Sequence, residues 1–273
     1  MRVSLAGISA VAVITCLAVG GIGARPALAG SDPVVRPGHL QGWHITTNKT
    51  MSPLYDAADL NPSSAASFRF RTGPGRPPAG EGSLLMRVGD AANSTVAAVP
   101  PGMAGVPLDS VRSLSYDTYL TRASRYPMPV SFKIVVPSVA LGHFTTLVYE
   151  PARQFSQMVM THQWQTWRAL DGSWWATGVT GPCSQARPCS WRQMKSLAGG
   201  DSHILTAYFE LRDPGTDCAL DMVIINGTVY NLEATRQPHP QSYPMLPLRH
   251  RPMLVPCRAA GYPERVAMTS TPC

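Results

Sequence analysis

The chain has 273 residues and a formal charge of +7, with 23 Lys and Arg against 16 Asp and Glu. That positive excess suits anionic envelope polymers, but no basic helix, finger or RNP-like motif accompanies it, which excludes a nucleic-acid-binding class. Beyond the N-terminus, no segment is apolar enough to span a membrane.

The first 29 residues read as an export signal: Arg2 supplies a positive start, Val3 to Gly23 is uncharged and apolar, and Ala27-Leu28-Ala29 fits a signal-peptidase site. Cleavage there leaves 244 residues and a charge of +5. The protein is therefore expected to be secreted, extracellular or associated with the cell envelope. Residues 30–233 form one domain, long enough to bury a core without metal or disulfides. Residues 234–273 are rich in Pro and Arg, carry no sustained period, and read as a disordered tail.

Within the domain the pattern is that of strands between Gly/Pro turns. Ser67-Phe68-Arg69-Phe70-Arg71 alternates, and so do Ser113–Leu120 and Val130–Val136. Ser83–Val88, Phe144–Glu150, Ile204–Leu211 and Ala219–Ile225 are further strand candidates. Turns are marked by the run Gly73-Pro74-Gly75-Arg76-Pro77-Pro78, by Pro100-Pro101-Gly102, by Asp171-Gly172 and by Asn226-Gly227, the last announcing a hairpin into Thr228–Leu232. One helix is expected near Ser190–Ala198, with Ser190 as its cap. The fold class is all-β, an antiparallel jelly-roll β-sandwich.

Four of the six tryptophans lie between His162 and Gly178. Trp174 and Trp175 are adjacent, so on a strand they point to opposite faces; Trp164 and Trp167 are likewise split. One member of each pair belongs to the core, and Trp164 and Trp174 are the better single choices for it. Trp167 and Trp175 are then the outward pair, able to stack on sugar rings, with Gln165, Arg168 and Asp171 to bond hydroxyls.

Five cysteines follow the signal, an odd number. Cys183 and Cys189 closing one loop is the first choice. Cys257 with Cys273, or Cys218 with either of the first two, stay open.

The order of FRF, GSL, LSYDTYL, VSFKIVV, TLVYEPARQ, WQTWRALDGSWW and ALDMVII followed by an NGT hairpin resembles a family of secreted bacterial jelly-roll domains. These are related in shape to laminin-G-like and carbohydrate-binding sandwiches, and most have no assigned activity. The resemblance runs from about Gly42 to Glu233; the Cys-bearing insert Gly181–Trp191 and the tail depart from it. It implies a structural calcium with Asp221 as a ligand, joined by Asp56, Asp59 or Asp217. Read alone, Asp221 better fits a carboxylate bonding backbone amides at a strand edge. No cofactor is otherwise expected.

Catalytic signatures are sparse. No Gly-x-Ser-x-Gly elbow, His-Glu-x-x-His or Cys-x-x-Cys occurs, and Glu150 stands alone at a strand end. The first expectation is a non-catalytic secreted module that binds carbohydrate or cell-envelope polymer. Two others remain: a cell-surface interaction protein with every Trp in its core, and a lyase-like enzyme using Tyr116, Tyr119, Tyr149, His143 and Arg153.

Overall fold

In the computed structural model the described residues are 32–47, 65–90, 94–124, 126–138, 143–154, 156–199 and 202–234. The expected signal at 1–29, residues 235–273 of the expected tail, Asp56, Asp59, Cys257 and Cys273 lie outside them. No helix among these residues is long and apolar enough to cross a membrane.

The described chain forms two seven-stranded sheets around one core. In the first sheet β13 (Thr216–Ile225) is the long central strand. It pairs on one side with β6 (Leu114–Arg122), which carries β9 (Trp164–Arg168) at its far edge. On its other side β4 (Gly82–Val88) covers residues 216–220 and β14 (Thr228–Leu232) covers 223–225. β3 (Ala66–Thr72) then extends β4, and β1 (Val34–Val35) lies parallel to β14.

The second sheet runs in the order β11 (Cys189–Ser190), β10 (Ser173–Ala176), β8 (His143–Tyr149), β7 (Ser131–Ser138), β12 (Thr206–Leu211), β5 (Val96–Val99) and β2 (His44–Thr47). Its internal pairings are antiparallel.

The alternating segments become strands because each buries one face. On β7, Phe132, Ile134 and Val136 face the core; on β4, Leu84, Met86 and Val88 do. Tyr116, Phe132 and Phe209 meet at the centre, with Phe209 4.6 Å from Phe132 and 5.1 Å from Tyr116 between ring centroids. The Tyr116 hydroxyl donates to the Val130 carbonyl at 3.0 Å, so this ring carries no unsatisfied group inward. On edge strand β3 Ala66 and Phe70 pack on the core, and Phe68 is 40% exposed.

The helix α1 (Trp191–Ala198) begins where its sequence signal places it. Ser190 caps it through the Gln193 amide N–H, and the Gln193 side chain accepts from the Ser190 N–H in return. Trp191 and Met194 turn into the core, with Trp191 4.7 Å from Trp174.

Asp221 sits where β4 stops and β14 begins along β13. Its carboxylate accepts from the backbone N–H of Leu232 at 2.9 Å and of Ala79 at 3.3 Å. It thus replaces the strand partner missing at this junction. Asp217 is held by Arg87 at 2.8 Å and Arg122 at 3.5 Å. Asp221 is therefore met by amide donors and Asp217 by guanidiniums. Among the described residues no three His, Cys, Asp or Glu gather to hold a metal.

Candidate functional site

The tryptophan segment is the crossing between the two sheets. β9 belongs to the first, β10 to the second, and a 3-10 turn at Ala169–Asp171 joins them. Each strand sends one indole inward and one outward. Trp167 and Trp174 are fully buried, with N–H groups donating to Thr118 Oγ1 at 2.7 Å and to the Ala169 carbonyl at 2.8 Å. Trp164 and Trp175 are half-buried on the two opposite outer faces.

Two expectations are corrected here. Trp167 cannot stack on a ligand, because β9 pairs it with core residue Tyr116; Trp164 is the outward member of that pair. Gln165 does not offer its amide to a ligand either. It donates to the Met158 carbonyl at 2.8 Å and accepts from the Met160 N–H at 2.6 Å, pinning that strap to the sheet edge. Arg168 and Asp171 are exposed, but Arg168 shares the outer face of the first sheet with Trp164. The expected cluster around Trp175 is thus divided between faces.

What surrounds Trp175 comes from other strands. Across the outer face of the second sheet, Trp175, Val148, Lys133 and Tyr208 are successive cross-strand neighbours. The Trp175 indole N–H donates to Glu150 Oε2 at 3.1 Å, and Arg153 Nε donates to the same oxygen at 2.5 Å. The ring plane is therefore fixed before any ligand arrives. Lys133 and Glu210 form a buried ion pair, with the Lys133 ammonium 6.0 Å from the centre of the Tyr208 ring. Burial raises the Tyr208 hydroxyl, and the Glu210 charge adds to it. Burial likewise raises the Asp213 carboxyl; the Glu150 and Glu210 charges push the same way, against Arg212 and Lys133.

Beside this face is a cavity of about 280 Å³ lined by Ala152, Arg153, Gln154, Gln185, Ala186 and Pro188. Arg153 belongs to both cavity and Trp175 site. Gln154 is fully engaged: its Nε2 donates to the Glu150 and Ser173 carbonyls at 2.8 and 3.1 Å, and its Oε1 accepts from the Ser173 N–H at 2.7 Å. It therefore ties the end of β8 to β10. Gly172 is required beside it, since a Cβ there would lie 2.5 Å from Gln154 Oε1 and 2.6 Å from the Tyr149 ring. The site thus offers one indole face and the Arg153 and Gln185 donors, with the Glu150 carboxylate already engaged by Trp175 and Arg153.

The far wall is the loop closed by the Cys183–Cys189 disulfide. Cys218 is buried elsewhere in the core, its thiol pushed up to about 12 by burial, and it joins no bridge among the described residues. Replacing Cys183 and Cys189 by Ser is expected to lower stability by about 2 kcal/mol, the chain-entropy value for so short a loop. Urea unfolding with and without reductant measures this; wild type insensitive to reductant would count against it.

The residues proposed for a lyase do not converge. Tyr116 and Tyr149 are buried between the sheets, Tyr119 lies on the outer face of the first sheet beside Trp164, and Arg153 lies beside the second.

No family model matches the sequence, and no curated protein matches it. Among solved structures, the chain is similar to the family 11 carbohydrate-binding module of the cellulosomal cellulase Lic26A-Cel5E of Clostridium thermocellum. Identity is 10%, with 72% of this chain and 91% of that chain covered, and the TM-score is 0.37. A family 11 module from the same bacterium, in complex with a β-1,3-1,4-mixed-linked tetrasaccharide, is similar at 10% identity over 70% of this chain and 91% of that chain, with a TM-score of 0.34. At such values neither likeness bears on what this chain binds.

Proposed function

We propose that this is a secreted jelly-roll module, without catalytic activity, that binds carbohydrate or cell-envelope polymer at the β10 end of its second sheet, where Trp175 lies. Trp175 is its stacking platform. The observation that carries this reading is the half-buried Trp175 indole held through Glu150 and Arg153 beside the 280 Å³ cavity. An aromatic ring whose N–H is already bonded presents an apolar face at little entropic cost on binding. Arg153 and Gln185 are placed to bond hydroxyls at its margin.

The test is a pull-down of the protein on insoluble and soluble polysaccharides and on cell-wall preparations. Trp175→Ala is expected to weaken the retained polymer on the order of 30-fold, the loss of one hot-spot residue, with the circular dichroism spectrum unchanged. Trp164→Ala, on the opposite face, should bind like wild type. Retention by Trp175→Ala equal to wild type on every polymer would remove this reading.

A further inference from the structure

The outer face of the first sheet is a second candidate surface, with a different character. Opposite pairs in the ladders share a face, so Arg69 and Arg71 of β3 point outward with Leu85 and Ser83, and Arg87 points outward beside Asp217. Arg122 of β6 meets the same Asp217 from the other side.

The loop between β3 and β4 folds back over this face. The Pro74 carbonyl accepts from the Trp164 indole N–H at 2.9 Å, at the far edge of the sheet. Gly75 lies against Tyr119, where a Cβ would sit 3.3 Å from the ring. Ala79 N–H reaches Asp221, and Ser83 Oγ donates to the Gly73 carbonyl. Arg76 is exposed on this loop.

The charge is separated by depth. Asp117, Asp217 and Asp221 of this face are buried. Arg69, Arg71 and Arg76 are exposed, and no carboxylate among the described residues is within ion-pair reach of them. Arg87 and Arg122 remain 49% exposed despite their pairing. Solvent therefore meets guanidiniums along β3 and β4 above these buried acids, while Glu81, exposed at the end of the loop with its N–H donating to Glu233, is the acid at the margin.

We propose that this arginine face binds a polysaccharide bearing carboxylates along its length. A guanidinium fork takes a carboxylate through two parallel hydrogen bonds, which a point charge does not. The strand geometry puts Arg69 and Arg71 roughly 7 Å apart along β3, with Arg87 on the neighbouring strand, and a row of separate guanidiniums suits a repeating chain better than a single small anion. The covering loop is tied to the face through Pro74, Ala79 and Gly73, and no helix among the described residues stands on it to enter a duplex groove. The class of ligand rests on the polymer-binding reading above, but the face is separate from Trp175, so each can fail alone.

The test is affinity electrophoresis of the full protein through gels containing polygalacturonate or its fully methyl-esterified form. Wild type is expected to be retarded by polygalacturonate and not by the ester. R69Q/R71Q, two exposed edge-strand changes, is expected to bind polygalacturonate at least tenfold more weakly, while R192Q, an exposed change on α1 away from both surfaces, is retarded like wild type. Equal retardation of R69Q/R71Q and wild type would overturn the proposal, as would equal retardation by the ester. Tighter retention on duplex DNA or on phosphatidylglycerol vesicles at the same ionic strength would also overturn it.

Discussion

Trp167→Ala is expected to destabilise the protein by about 3–5 kcal/mol, the range for emptying a buried large aromatic site. The Trp167 side chain is fully buried and paired across the ladder with Tyr116, which in turn packs on Phe209 and Tyr149. Removing the indole also takes away the donor that bonds Thr118 Oγ1, leaving a core hydroxyl to find another partner. Against a typical total of 5–15 kcal/mol, that loss brings the domain close to unfolding at 37 °C. Trp164→Ala, three residues away but half-exposed, should cost about 1 kcal/mol or less. Urea midpoints of the two variants decide it; equal midpoints would show that β9 is not in the register described.

Stability is expected to fall as pH rises from about 4 to 8, and Asp221 is the reason. Its carboxyl is pushed up to about 8, first by burial and then by the Glu233 charge, against the opposing hydrogen bonds from the Leu232, Met222 and Ala79 amides. In the unfolded chain it titrates near 3.9. Between those values the folded state keeps a proton that the unfolded state has released. Unfolding therefore becomes easier with rising pH, by at most about 1.4 kcal/mol per unit. The contribution is whole below pH 4, declines across the window and is gone above 8. Asp221→Asn cannot titrate and should show a flatter profile over the same range. Unfolding free energies from pH 5 to 9 for both proteins give the difference directly; parallel profiles would remove Asp221 as the cause.

The sequence made the inward faces of the strands legible, because period-2 alternation follows from the pleat alone. Phe132, Ile134 and Val136 lie where alternation puts them, and Ser190 caps the helix it announces. The short strands β1, β2, β5 and β11, of two to four residues, are too brief to show a period. The tryptophan segment was half legible. Adjacency forces Trp174 and Trp175 apart, and Trp174 is the core member as expected. For Trp164 and Trp167 alternation gives two choices, and the register that selects Trp167 comes from β6, some fifty residues earlier. The Glu150–Trp175 bond likewise joins residues of two different strand ends, 25 positions apart, whereas Gln165 is taken up by Met158 and Met160 in an aperiodic strap only seven and five residues earlier. The Lys133–Glu210 pair also depends on long-range placement, its members being 77 residues apart. The Gly/Pro loop after β3 announced a turn, but not that it would lie across four strands to reach Trp164. Asp221 bonds the backbone amides of Leu232 and Ala79, as a lone carboxylate at a strand edge implies.

The claim that Trp175 is the binding platform is tested most directly by following the indole N–H resonances while titrating in whichever soluble polysaccharide retains the protein. A progressive shift of the Trp175 signal is expected, with those of Trp167 and Trp174 unmoved in the core. An unmoved Trp175 signal at saturation would contradict it.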